Sequence, residues 1–238
     1  MSKSFIVVRH SYDDHSYIDG KNDTSLTKKG IEIANEAANK IVYNVESNNI
    51  VIRHSTKKRA IETAEIFCNH FIRKGFTCKC ISDNGLTELY QGKFNFGEMT
   101  HLERVNFLQS CWDDFESCRM KGDFSHKFGQ NKDRNIIVAP GENHAEWSVR
   151  IADGLLNIIS DIENAYQSIN IAHRGAIYEI EQLVKFLNGS IDITDIEKYQ
   201  TRWMSYCQDY KLELDDTEKS KKMIKKYKNL RCKNENNN

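Results

Sequence analysis

Short apolar runs alternate along this chain with longer stretches whose apolar positions recur every three or four residues. The run Phe5-Ile6-Val7-Val8 predicts a buried strand from Ser4 to Val8. Ile31, Ala34, Ala38, Ile41 and Val45 then keep helical spacing, predicting a helix over Thr27 to Val45. The pattern repeats with a strand at Ile50 to Ile52 and a helix from Thr56 to Phe71, its stripe made by Ala60, Ala64, Phe67 and Phe71. A third strand is read at Phe76 to Ile81, where Cys78 and Cys80 point to one face.

After that strand the alternation breaks. Val105, Leu108, Trp112 and Phe115 mark an amphipathic helix between about Thr100 and Met120, followed by polar, irregular sequence from Gly122 to Asn135 and the apolar run Ile136 to Ala139. A helix over Ala145 to Tyr166, a strand at Ile169 to Ala172 and a helix over Ala176 to Leu187 resume it. Trp203 to Leu214 offers one further strand. Strands alternating with helices imply an α/β fold, a mostly parallel sheet with helices on both faces, carrying a helical insertion between its third and fourth strands. The expected organisation is one α/β domain over residues 1–216 with an insertion at about 93–145, then a Lys- and Asn-rich tail over 217–238. In that tail Met223, Ile224, Tyr227 and Leu230 keep helical spacing, which reads as a short docked helix with a frayed end.

Charge narrows the partners. The 238 residues carry 34 basic and 34 acidic side chains, so no global field draws the chain to nucleic acid or to a membrane surface, and any anion must be held locally. No apolar run approaches the length of a membrane span. The first apolar run stops at Arg9, without the pattern of a secretion signal. Seven cysteines without a C-x-x-C pair are read as free thiols of a cytoplasmic protein. Cys78 and Cys80 alone are too few to hold a metal, and no metal or other cofactor is expected.

The chemistry lies where strands end. The first strand runs into Arg9-His10-Ser11, the second into Arg53-His54-Ser55 and the Ile169 strand into His173-Arg174-Gly175. Parallel strands place their carboxyl ends on one edge, where an α/β sheet binds ligands. In order along the chain stand VVRHS, DTSLTKKG, Ser55 to Ala64, LTELYQG from Leu86 to Gly92, GEN from Gly141 to Asn143, and IAHRGA from Ile171 to Ala176. This series resembles the histidine phosphatases, the superfamily that includes the phosphoglycerate mutases, in its branch 1.

The resemblance implies a phosphoglycerate mutase-like fold in which the insertion forms a cap over the pocket, and a metal-independent phosphatase acting on a small phosphorylated metabolite. His10 is the implied nucleophile. Imidazole, titrating near ~6.5, offers a lone pair at neutral pH without a separate base. Arg9 and Arg59 are expected to grip the phosphoryl group by charge-assisted hydrogen bonds, with His10 and a protonated His173 beside them. Glu88 matches the family's L-x-E-x-x-x-G pattern as the acid that protonates the leaving group. Glu142 is a spare acid or, on the reading preferred here, a contact residue or brace of the pocket wall. Ser11 and His54 are candidates for the pocket edge, a structural role being the alternative for His54, and the N-terminal position of the family nucleophile favours His10 over His54.

Departures from the family pattern bear on substrate. Ser11 stands where Gly is usual, Asn143 where Ser is usual, and Tyr12-Asp13-Asp14 brings acidic residues near an anion site. Sugar phosphates, nucleotides, phosphoacids and phosphoprotein residues all remain open. Two alternatives stand beside hydrolysis: a mutase-type phosphotransferase, disfavoured because Arg104, Arg119 and Arg134 are scattered among Asp113, Asp114 and Glu116, and a non-catalytic phospho-ligand-binding protein.

Overall fold

In the computed structural model, which describes residues 2–14, 23–193 and 204–235, the three strands that end in histidine motifs lie side by side. They are β1 (Lys3–Arg9), β2 (Asn49–His54) and β6 (Gln167–Ala172), and with β3 (Thr77–Ser82) and β7 (Asp209–Leu214) they form one sheet of order β3-β2-β6-β1-β7. All pairs are parallel except β1 with β7. β7 is the further strand expected from Trp203 to Leu214; Trp203 itself lies outside the described residues.

Two apolar layers cover the sheet. On one side α1 (Lys28–Ile41) and α2 (Lys58–Arg73) bury Ala34, Ala38, Phe67 and Phe71 against Ile6, Val8, Ile50 and Ile52. On the other, α4 (His144–Glu163) and α5 (Arg174–Leu187) bury Ile151, Leu155, Ile177 and Ile180 against Phe5 and Val7. Successive residues of β1 therefore feed opposite cores, which is why that strand reads as an unbroken apolar run.

Helix ends follow capping chemistry. α1 stops at Ile41 and tightens into a 3-10 turn, Val42–Asn44, short of the expected Val45. α4 begins one residue before the expected Ala145 because Asn143 accepts from the Glu146 backbone N–H while Glu146 accepts from that of Asn143. Asn143 is thus a helix N-cap, a role that Ser fills equally well, so this departure from the family pattern leaves the local structure intact.

The insertion holds α3 (His101–Met120), capped by Thr100 and Glu103, and the strands β4 (Lys93–Phe94) and β5 (Ile137–Ala139). These two strands pair only with each other, so the apolar run at Ile136 to Ala139 does not join the main sheet. No helix among the described residues is long and apolar enough to cross a membrane.

The C-terminal segment forms α6 (Thr217–Glu235), nineteen residues packed on α4. Ser220, Ile224, Tyr227 and Arg231 are buried, whereas Leu230 is exposed. The buried stripe thus follows i, i+4, i+7 and i+11, rotated from the apolar stripe read in the sequence. The Arg231 guanidinium sits over the rings of Phe124 (4.7 Å) and Tyr227 (5.0 Å). Burial opposes ionisation of nearby Glu179, yet His144, Arg231 and Arg119 hold its pKa below the usual carboxylate value. Removing one charge from such a buried cluster strands the others. Arg231→Ala should therefore lower the free energy of unfolding in urea by about 3–5 kcal/mol, and Leu230→Ala by less than about 0.5 kcal/mol.

Candidate active site

Sheet register levels the three strand ends. Arg9 pairs with Ala172 and His54 with Ile171. Beyond the strands, the His10 N–H donates to the Ala172 carbonyl at 2.9 Å and the Ser55 N–H to that of Ile171 at 3.0 Å. The residues that follow, His10, Ser55 and His173, then meet above β6.

Arg59, in the first turn of α2, stands between the two histidines. Its Nε–H donates to His10 Nε2 at 3.2 Å, and its Nη2 lies 3.3 Å from His173 Nδ1. Guanidinium has no acceptor, so each of these ring nitrogens presents a lone pair. The opposite nitrogens are protonated by the same logic. His10 Nδ1 lies 2.7 Å from the Ser11 carbonyl, which can only accept. His173 Nε2–H donates to Ser55 Oγ at 2.8 Å, and Ser55 in turn donates to Thr87 Oγ1 at 3.1 Å. The two rings are 4.8 Å apart by centroid and tilted by 56°. Both histidines are buried.

The local field is positive. His173 is pushed well below the ordinary imidazole pKa, first by burial and then by His10, Arg59, Lys57 and Arg9. With these groups alone His173 is neutral, so the donor role expected for its protonated form requires an anion beside it.

The two carboxylates have different surroundings. Glu88 accepts from the backbone N–H of Gly175 at 2.8 Å, at the start of α5, and from that of Leu89 at 3.1 Å. Burial nevertheless raises its pKa; the two N–H groups, then Arg174 and Arg59, pull the other way. A Cβ on Gly175 would fall 2.4 Å from Glu88 Oε1, so only glycine admits this carboxylate. Glu142 is held as an acceptor. Arg150 donates to it through Nε (2.9 Å) and Nη2 (2.7 Å), and the Tyr90 N–H adds a third bond at 2.8 Å. That arrangement suits a brace and opposes a spare acid.

Arg9, Ser11 and His54 are placed otherwise than the motifs suggest. Arg9 turns toward β7, donating to the Met204 carbonyl, with its guanidinium 3.9 Å from the centre of the Tyr206 ring. Burial lowers its pKa, with Tyr206 opposing and Arg174 adding to the shift. Ser11, expected at the pocket edge, is fully buried, and its Oγ donates to the Gly30 carbonyl at 2.6 Å. Its hydroxyl finds its acceptor within α1. His54 Nδ1 lies 3.0 Å from the Ser55 carbonyl, repeating the His10 arrangement. Among the described residues, no hydrogen bond joins His54 to Arg59, His10 or His173. Asp13 accepts from Thr24 Oγ1 at 2.5 Å and stands 3.9 Å from Arg59, so its charge is matched inside the protein.

Sequence motifs leave out Arg150 and Tyr206, and assign no role to Thr87 within LTELYQG. Arg150 also donates to the carbonyls of Asn84 (2.6 Å) and Thr87 (2.9 Å), tying the Glu88 loop to α4. Nothing in its local sequence separates it from an exposed helix charge. A cavity of about 280 Å³ opens beside Glu88, lined among others by Lys57, Thr87, Tyr90, Glu142 and Arg150. Thr87, bonded to Ser55, and Glu88, in the field of Arg59, both line this cleft and adjoin the histidine group.

No curated protein matches the chain in sequence. Among solved structures, mycobacterial hydrolase 1 superposes with a TM-score of 0.61 at 15% identity, covering 90% of this chain and 91% of that one. A mycobacterial glucosyl-3-phosphoglycerate phosphatase complexed with VO3 gives 0.55 at 17% identity, covering 88% and 92%. A phosphoglycerate mutase from Bacillus anthracis gives 0.53 at 14%, covering 93% and 96%. These likenesses extend over the fold. The model of the histidine phosphatase superfamily (branch 1) matches residues 5–222, and the chain belongs to that superfamily.

Proposed function

We propose that this protein is a phosphatase that hydrolyses a small phosphorylated metabolite through a phosphohistidine on His10. The observation that carries the reading is the His10 ring itself, whose Nδ1–H is fixed by the Ser11 carbonyl while its Nε2 lone pair faces Arg59.

The step balances with the groups present. The Nε2 lone pair forms a bond to phosphorus as the ester P–O bond breaks, and the departing alkoxide takes the proton of neutral Glu88. Arg59 redirects its Nε–H hydrogen bond from His10 Nε2 to a phosphoryl oxygen and keeps its proton. The dianion raises the proton affinity of His173, whose Nδ1 takes a proton from solvent as substrate binds and returns it as phosphate leaves, so both flanking groups are donors to the developing charge. Water then attacks phosphorus and gives its proton to the Glu88 carboxylate as the N–P bond breaks. Phosphate leaves, and His10 and the acid return to their starting forms.

The cleft beside Glu88 is the space for the leaving group. Its size suits a metabolite, and its lining mixes Lys57 and Tyr90 with the neutralised Glu142–Arg150 pair. The cap arginines give no support to a mutase reading: Arg119 is buried against Glu116, and Arg104 donates to the Met99 carbonyl. The balanced net charge supports a small substrate in place of nucleic acid.

His10→Ala should lower turnover by about a thousandfold or more and abolish an acid-labile, base-stable phosphoryl label. A label that persists there and disappears in His54→Ala would move the nucleophile to the second strand.

The acid role has a separate test by single-turnover kinetics. Glu88→Gln should slow phosphorylation by an alkyl phosphate about a hundred- to ten-thousandfold, and by p-nitrophenyl phosphate far less, because nitrophenolate leaves without a proton. The protonated form of Glu88 is the active one. The alkyl phosphate rate should therefore fall as pH rises through a pKa that burial holds above the usual carboxylate value, and Glu88→Gln should lose that limb. Gly175→Ala, which displaces the carboxylate, should share the selective defect. Equal losses for both substrates would remove Glu88 from the role.

A further inference from the structure

We propose that the cap carries a zinc site built from Asp114, Cys118 and His126. The sequence reading expects no metal, and D-x-x-x-C followed by a histidine eight residues later is not a common ligand spacing. The fold brings the three together. Asp114 and Cys118 are four residues apart on α3 and share one face. The chain then turns back, with the Gly122 N–H donating to the Arg119 carbonyl (2.9 Å) and the Asp123 N–H to that of Cys118 (3.0 Å), and returns His126 to that face. One ligand atom from each residue lies within 4.8 Å of the others.

A second observation points to a ligand. His126 is 6% exposed, and its Nε2 has no hydrogen-bond partner; neither has Asp114 Oδ2. The two atoms stand 3.2 Å apart without the geometry of a hydrogen bond. An orphaned buried pair is costly, yet this spacing is close to the edge of a zinc tetrahedron, about 3.3 Å for N and O ligands at roughly 2.0–2.1 Å from the metal. The Asn131 amide lies 3.4 Å from His126 Nδ1. With its oxygen toward the ring it accepts Nδ1–H and leaves the Nε2 lone pair for the metal.

One thiolate, one imidazole and one carboxylate form a borderline donor set that suits zinc and excludes magnesium and calcium. Burial, then Asp114 and Asp123, raise the Cys118 pKa, so the thiol gives its proton to solvent as the S–Zn bond forms. The metal would brace the loop that carries Phe124 and Phe128. The Phe128 N–H donates to the Glu142 carbonyl at 3.1 Å, linking that loop to the cleft wall. No ligand is shared with the His10 group.

Cobalt(II) added to the chelator-stripped full chain tests the site. Wild type should develop a thiolate-to-cobalt charge-transfer absorption that saturates at one equivalent and is displaced by zinc. Cys118→Ser should abolish it, and His126→Gln should weaken binding by more than about a hundredfold, the upper end of what losing an outer-shell partner costs. Circular dichroism of both variants confirms the fold. Replacing Cys68, Cys78 and Cys80 together by Ser should leave the absorption unchanged, as should His10→Ala. Zinc should raise the melting temperature of wild type and leave that of Cys118→Ser unmoved. No absorption in wild type, or one that survives Cys118→Ser, would overturn the assignment.

Discussion

A guanidinium has five donors and no acceptor, so whatever ring nitrogen it addresses must offer a lone pair. Arg59 addresses two, His10 Nε2 and His173 Nδ1. That single side chain sets both tautomers, and each opposite nitrogen is then fixed by its own acceptor, the Ser11 carbonyl or Ser55 Oγ. A lysine could supply the charge, but not two divergent N–H groups held in one plane. Burial first, and then the positive field of the cluster, depress the His173 pKa. A dianion entering there gains from every group it meets, which is the physical meaning of an anion site prepared in advance.

The arrangement depends on the sheet more than on the residues next to the histidines. β1 and β2 both flank β6 in parallel, and their register carries His10 and Ser55 to the end of the strand that delivers His173. Arg59 arrives from the first turn of α2, whose buried face, Ala60, Ala64, Phe67 and Phe71, fastens the helix to the same strands. The Glu88 loop is placed by close backbone approach: a Cβ on Gly85 would stand 2.4 Å from the Cα of Gly154 in α4. Two glycines in contact let the loop sit against that helix, and Arg150 then fastens its carbonyls. Core packing and site geometry are thus one set of constraints.

The fold was largely legible because buried parallel strands write themselves as apolar runs and their helices as periodic stripes. His10, Arg59, His173 and Glu88 were legible as motif positions, and the structure brings them together. Less legible were residues whose partners are distant in sequence. Ser11 looks like part of the pocket until Gly30 is seen to accept its hydroxyl. Arg231 looks like a tail charge until Tyr227, Phe124 and Glu179 surround it. Arg9 illustrates a different gap: residue type and position say that it is near the site, but a long side chain selects among several acceptors and ring faces, and here it selects Met204 and Tyr206.

The cleft also shows how one wall can hold two carboxylates with opposite chemistry. Glu142 receives two guanidinium bonds and a backbone N–H, which tie it into the cleft wall. Glu88 receives two backbone N–H bonds as well, and these alone would favour ionisation. Burial outweighs them because neither donor carries a full charge, and the cations nearest to Glu88, Arg174 and Arg59, act without a direct bond to it. The two glutamates therefore differ in burial and in where Arg150 reaches them, the carboxylate of Glu142 but only the backbone carbonyl of Glu88. Two carboxylates placed in this way divide into an acid and a scaffold. Moving Arg150 from Glu142 to Glu88 would leave the same residues in the cleft and no group able to protonate an alkoxide.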